Sequence, residues 1–295
     1  MNKISPCLLG LSLAVAMSSV AAAQEMSPAT PSMPKVLQVT REFTKPYRAG
    51  KAHDKTESAF VEAMSRAKWP THYLGMTSLS GKQRALFFTG YDSFEAWEKD
   101  NTAVGKNSVL SAELERASIA DGDLLDGVDQ MVYYYNDKMS YRPEPDLAHK
   151  RYMDIGVYHV RPGHGEQWRE VVKMAKEGHE KGETSAHWAT YELMYGGESG
   201  TYVVLSTDKS MADIDLGFGD DKKFEAALGE EGMKKFHELY AAAVDTSHQE
   251  LFAFNPHMSY VGEELIKADP FWKTKAEAAH AAKPMEPMKP MKPKP

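Results

Sequence analysis

The chain carries a copy of itself. Tyr135-Asn136-Asp137-Lys138-Met139-Ser140-Tyr141 returns as Phe254-Asn255-Pro256-His257-Met258-Ser259-Tyr260, an offset of 119 residues (135 to 254). Upstream, Phe43-Thr44-Lys45-Pro46 aligns with His159-Val160-Arg161-Pro162, 116 residues on (46 to 162). Between them, Thr71-His72-Tyr73-Leu74-Gly75-Met76 runs parallel to Ala189-Thr190-Tyr191-Glu192-Leu193-Met194 at an offset of 118 (76 to 194). A register that drifts by three residues over about a hundred implies two copies of one structural unit.

Both ends of the 295-residue chain read differently from its middle. Residues 1–23 hold Lys3, an apolar run over 7–20 and then Ala21-Ala22-Ala23. That is the pattern of a secretory signal peptide removed before Gln24, with an apolar core too short to span a bilayer. The chain's single cysteine, Cys7, lies inside it. The mature protein would then have no thiol, which excludes disulfides and cysteine-ligated metals, so its own core must hold it together. The formal net charge of −7 argues against a nucleic-acid partner. No other segment is long and apolar enough for a membrane span, and the expected location is periplasmic or secreted.

After a flexible Ser/Pro/Met-rich leader at 24–34, the periodicities alternate between two and 3.6. Residues 36–43 read as a strand and 51–68 as a helix carrying Phe60, Val61 and Met64. A hairpin follows, 71–79 and 84–91, turned at Ser80-Gly81-Lys82. Asp92 caps a helix holding Phe94 and Trp97, helical pattern resumes over 108–119, and 129–136 is a fourth strand. The second unit repeats the order: strand 153–160, helix 166–181, hairpin strands 188–195 and 201–206, helix 222–244, strand 249–254. The predicted fold is α+β. Two tandem ferredoxin-like βαββαβ units, 35–141 and 151–262, joined by a Pro-containing linker at 142–150, pair sheet to sheet. Residues 263–295 would be a docking segment, through Phe271 and Trp272, and a Pro/Met/Lys-rich disordered tail.

The passage Tyr158-His159-Val160-Arg161-Pro162-Gly163-His164-Gly165, followed by Glu166-Gln167-Trp168, resembles the opening of NIPSNAP-like and antibiotic-biosynthesis-monooxygenase-like domains. Their first strand ends in a Lys/Arg-Pro-Gly turn before a helix. The resemblance implies an intrachain version of the dimeric α/β-barrel superfamily. That superfamily includes cofactor-independent monooxygenases, haem-degrading and haem peroxidase-like enzymes, and members without known catalysis. The first unit departs from the motif, because Lys45-Pro46-Tyr47-Arg48-Ala49-Gly50 holds two extra residues.

On that resemblance the candidate catalytic residues are His159, His187, Trp188, Tyr191 and Asn255, with Trp69, His72, Tyr73 and Asn136 in the first unit. His159 shares a strand face with Met153, Ile155 and Val157; an imidazole there could relay a proton or bind iron, or simply donate one hydrogen bond and pack. Asn136 and Asn255 end equivalent strands, where an amide could hold a ligand or satisfy its own backbone. Tyr133-Tyr134-Tyr135 could line a pocket or serve cross-strand packing. No HExxH or zinc-type histidine spacing is present. Asp208, Asp213, Asp215, Asp220 and Asp221 crowd one stretch with Gly217 and Gly219 but miss the EF-hand pattern, and read as a solvated acidic loop. In the tail, Met285, Met288 and Met291 recur every third residue, as a polyproline II segment would present them. They could take Cu(I) or belong to a basic spacer touching an anionic envelope.

These observations imply an exported protein that binds a small, partly apolar ligand or a partner, with oligomerisation left open. The alternative is a monooxygenase-like or haem-handling enzyme. Phe43 stands opposite His159, Trp69 opposite His187 and Pro70 opposite Trp188, so any working pocket is expected to be single and in the second unit.

Overall fold

The computed structural model describes residues 32–273; the signal-peptide and Met285/Met288/Met291 readings lie outside them. Fourteen elements of helix and strand follow the chain in order. They are β1 (Val36–Thr44), α1 (Lys51–Ala67), β2 (Tyr73–Ser78), β3 (Arg84–Tyr91), α2 (Phe94–Lys106), α3 (Ser108–Gly122), β4 (Leu125–Tyr141), β5 (Tyr152–Val160), α4 (Gly165–Lys181), β6 (Trp188–Tyr195), β7 (Thr201–Asp208), α5 (Met211–Ala243), β8 (Val244–Phe254) and α6 (Glu263–Ala268). A short 3-10 turn, Pro270–Trp272, closes the described chain.

The prediction of two ferredoxin-like units laid sheet against sheet is not what forms. All eight strands are hydrogen-bonded into one closed antiparallel barrel, in the order β1-β3-β2-β8-β5-β7-β6-β4. The reason is the cost of sheet edges. Two open four-stranded sheets would leave β2, β4, β6 and β8 with unpaired backbone groups. Instead β2 pairs with β8 and β4 with β6, so the barrel has no edge.

The recurring sequence motif builds those two seams. In the first copy the Asn136 carbonyl oxygen Oδ1 accepts from the Met139 backbone N–H at 3.2 Å, and Ser140 Oγ donates to the Asn136 carbonyl at 2.7 Å. The same Ser140 Oγ accepts from the backbone N–H of Thr190 on β6 at 2.9 Å. In the second copy Asn255 Oδ1 accepts from the His257 N–H, and Ser259 Oγ donates to the Asn255 carbonyl. Ser259 Oγ then accepts from Gly75 N–H on β2 at 2.9 Å. The backbones come so close there that a Cβ on Gly75 would stand 2.4 Å from the Met258 carbonyl oxygen, which only glycine avoids.

These contacts also reset the internal alignment. Tyr73 bridges Tyr260 where Trp188 pairs with Tyr141. Trp188 therefore corresponds to Tyr73, 115 residues apart (73 to 188), three residues from the register the sequence suggests.

Strand alternation fills the lumen. Leu37, Val39, Met76, Leu86, Phe88, Tyr133, Ile155, Tyr191, Leu205 and Phe252 form one buried cluster there. One mouth is sealed by Trp272, fully buried, whose indole N–H donates to the Ala148 carbonyl at 2.8 Å. Outside, α4 packs Trp168, Val171 and Val172 over Val160, Tyr202 and Val244. The stretch read as an acidic loop is the start of a 33-residue α5, kinked at Gly229, whose φ of 67° interrupts the helix. Asp213 completes a capping box with Ser210. Asp220 accepts from the Ser185 N–H and Oγ and from Lys223, which holds its carboxyl down at about 2.

Replacing Ser140 or Ser259 by Ala should each cost about 1–3 kcal/mol, because a buried N–H on the neighbouring strand loses its acceptor. The seams are far apart in the strand order, so the double variant should sum the two losses. Denaturant unfolding of the three variants measures this.

Candidate functional site

The unsealed mouth of the barrel holds a recess. Its walls come equally from the two halves of the chain: Val39, Arg41, Leu86, Phe88 and Tyr133 from one, Ile155, Val157, Val203, Leu205 and Glu250 from the other. The half-open recess offers about 40 Å³, enough for a few waters or the head of a larger molecule. A pocket confined to the second unit is therefore not what the strands enclose.

Three polar groups converge on this apolar well. Arg41 is held by a two-point pair with Asp129, Nε to Oδ1 and Nη2 to Oδ2, both at 2.6 Å. That geometry leaves Nη1 unused by Asp129. The Tyr133 hydroxyl donates only to a thioether, Met131 Sδ, at 2.9 Å. Burial pushes its phenol up to about 12 even though Arg41 pulls the other way. Glu250, opposite, is paired with Arg84, whose guanidinium lies over the Phe252 ring. An apolar recess with few convergent polar groups is the ordinary form of a small-ligand site.

The residues singled out from sequence do not gather into one site. His159 follows Val157 on the inward face of β5, its Nδ1 3.3 Å from Thr201 Oγ1 and its Nε2 3.6 Å from Glu198 Oε2. His187 lies at the opposite end of its sheet, with ring nitrogens 3.2 and 3.0 Å from the carbonyls of Ser185 and Thr207. Trp188 donates its indole N–H to Met139 and packs on Tyr141, at the β4–β6 seam. Tyr191 is buried in the lumen with its hydroxyl on the Pro34 carbonyl. Asn255 braces its turn and donates Nδ2 to Asp54 at 2.8 Å. In the first half, Trp69 donates to Asp100, and burial lowers the pKa of His72.

Haem iron needs an imidazole nitrogen with a free lone pair beside a flat slot. Both nitrogens of His187 face carbonyl oxygens, which leaves it no lone pair for iron, and the recess near His159, at about 40 Å³, is too small to take a porphyrin, so neither residue fits a haem.

A second chemical centre lies on the outer side of β1, beneath α1 and α3, and was not anticipated. Glu42, His53, Glu57 and Asp121 bring one ligand atom each to within 4.8 Å of one another. Burial alone would lower the His53 pKa, but the Asp121 and Glu42 carboxylates beside its Nε2 outweigh it and push the imidazolium up to about 10. Burial, together with the neighbouring Glu42 and Asp121, pushes Glu57 up to about 9. Burial likewise raises Glu42. The sequence signal was there: His53 and Glu57 stand four apart, which puts both on one helical face.

No family model matches the chain, and no curated protein does. Solved structures of low similarity align with much of the chain. A proposed monooxygenase from Lactobacillus acidophilus is 7% identical with a TM-score of 0.46, over 76% of this chain and 94% of that one. A proposed monooxygenase from Fusobacterium nucleatum is 10% identical at 0.48, over 75% and 93%. A mutant chlorite dismutase from Candidatus Nitrospira defluvii is 8% identical at 0.45, over 82% and 98%. Identities this low leave function to be argued from this chain's own residues.

The buried cluster makes a pH prediction. Glu57 and His53 both hold protons more tightly in the folded chain than in the unfolded one, whose carboxyl and imidazole titrate near about 4.5 and 6.5. Their contribution to stability is complete at acidic pH and is lost as pH rises toward 9 and 10. In chelator-treated protein, Tm should fall steadily from pH 6.5 to 9.5, and Glu57→Gln should flatten that slope. A Tm that rises over this range would contradict it.

Proposed function

We propose that this chain is an exported small-ligand-binding barrel protein, and that the recess at its unsealed mouth receives the oxygen-bearing head of a partly apolar molecule. The observation that carries this is the Tyr133 hydroxyl beside Arg41: a buried donor that has only a thioether acceptor, next to a guanidinium with unused N–H groups. A ligand carbonyl, phenolate or carboxylate would give both a proper acceptor. The apolar body would lie along Leu86, Phe88, Val157 and Val203. Export rests on the pattern of residues 1–23.

One observation favours a second reading, oxygen-using chemistry on such a ligand without haem. His159 follows the lining residue Val157 on the same face of β5, where an imidazole could take a proton from a quinol-like substrate whose anion Arg41 then steadies.

The test is calorimetric titration with a panel of aromatic carboxylates and quinols. At least one should bind, and Tyr133→Phe should weaken it by about three- to tenfold, the worth of one hydrogen bond. Arg41→Met should weaken it further with the fold intact by circular dichroism. Binding by no member of the panel, or binding indifferent to both changes, would sink the proposal. Oxygen uptake with a bound quinol, lost in His159→Ala, would establish the enzymatic form; binding without uptake would leave a binding protein.

A further inference from the structure

The outer cluster does something the recess does not. Its imidazole nitrogen Nε2 faces three carboxylates at once: Glu42 Oε2 at 3.1 Å, Asp121 Oδ1 at 3.4 Å and Glu57 Oε1 at 3.9 Å. A ring nitrogen carries at most one hydrogen, so it can serve one of these three as a donor. Thr56 Oγ1 supplies a second donor, to Asp121. Glu57 Oε1 is left with no hydrogen-bond partner, although its side chain is only 4% exposed and aims into the cluster. The Tyr73 hydroxyl is also buried without a partner. On β1, Thr44 Oγ1 repeats the pattern two residues beyond Glu42.

Buried carboxylates outnumber the cations that could neutralise them. His53 can bring one positive charge to three acids, and no Lys or Arg pairs with Glu42, Glu57 or Asp121 among the described residues. Without a metal, bound protons must answer that excess of acid; a divalent ion would displace them and neutralise the carboxylates directly. The spacing indicates what that is. Ligand atoms about 2.0–2.2 Å from a tetrahedral ion lie roughly 3.4 Å apart. The three measured distances from Nε2 bracket that separation.

We propose that Glu42, His53, Glu57 and Asp121 form a binding site for a divalent first-row transition-metal ion of the Mn²⁺ or Zn²⁺ kind. One nitrogen and three oxygens suit that class; Ca²⁺ and Mg²⁺ favour all-oxygen shells. The ligands arrive from β1, α1 and α3, so the ion ties the helical layer of the first half to the barrel wall. In the second half the corresponding helix, α4, buries Trp168, Val171, Val172 and Met174 in place of charges. Among the described residues the site therefore occurs once.

The experiment uses the full chain without a histidine tag, stripped by chelator and titrated with MnCl₂, ZnCl₂ and CaCl₂ in a calorimeter. Mn²⁺ or Zn²⁺ should bind at one equivalent and raise Tm, with Ca²⁺ far weaker. Replacing His53 by Ala, or Asp121 by Asn where the first variant fails to fold, should weaken binding by at least about tenfold, the loss expected when a metal's support is removed. Mn²⁺ electron paramagnetic resonance on ¹⁵N-histidine protein should show nitrogen coupling that vanishes in Glu42→Gln/His53→Gln. Absence of saturable binding to the folded wild-type chain, or binding unchanged in both single variants, overturns the site.

Discussion

Closure of the barrel is the constraint on which everything else rests. Eight strands form a cylinder only if the last pair meets with matched register, and here two such meetings occur, at β4–β6 and β8–β2. Each is fixed by the same device, an asparagine that braces a turn and a serine that reaches the next strand's N–H. The Asn-x-x-Met-Ser-Tyr copies are therefore not two halves of an active site. They are the two clasps of one cylinder. Once both are fastened, side-chain alternation alone decides what enters the lumen and what faces the helices.

That division has a chemical consequence on β1. Arg41 and Glu42 are adjacent, so they must point to opposite sides of the wall. Arg41 enters the recess with Asp129, Tyr133 and Glu250 near it. Glu42 enters the helical layer, where His53, Glu57 and Asp121 wait. Two neighbouring residues thus found two centres of opposite character, one an apolar well with spare donors, the other a dry knot of acids. Neither centre needs a flexible loop. Both stand on strand and helix, which hold geometry better than loops do.

Much of the architecture was legible because it depends on local pattern. Period-two runs located the strands, the Ser80-Gly81-Lys82 turn located a hairpin, and Phe271 and Trp272 marked an apolar segment near the end of the described chain. Closure was not legible, because alternation is identical in an open sheet and a closed one; only pairing at the edges distinguishes them. The internal register slipped by three residues for a related reason. Thr71–Met76 matches residues 189–194 in residue type, whereas the true correspondence is set by Ser259 on Gly75 and Ser140 on Thr190. The acidic run at 208–221 misled through Gly217 and Gly219, which α5 tolerates on an exposed turn stabilised by its capping box.

The residues singled out for chemistry are dispersed by the fold. Histidines drew attention to the second half, yet His187 and Trp188 spend their polar atoms on backbone carbonyls. The atoms that remain underused are the Tyr133 hydroxyl, with a thioether for an acceptor, and Glu57 Oε1, with no hydrogen-bond partner. Sequence offers only the His53/Glu57 pair on one helical face; Glu42 and Asp121 come from two other elements and look like ordinary surface charges in their own segments. What separates them from surface charge is the seating of α1 against β1 and α3, which removes water from four ionisable groups together. A helix whose inward face reads His53, Glu57, Val61, Ala63 would be destabilised in that seat unless its charges were answered. The fold retains it, and the cation class that answers three carboxylates and an imidazole is narrow.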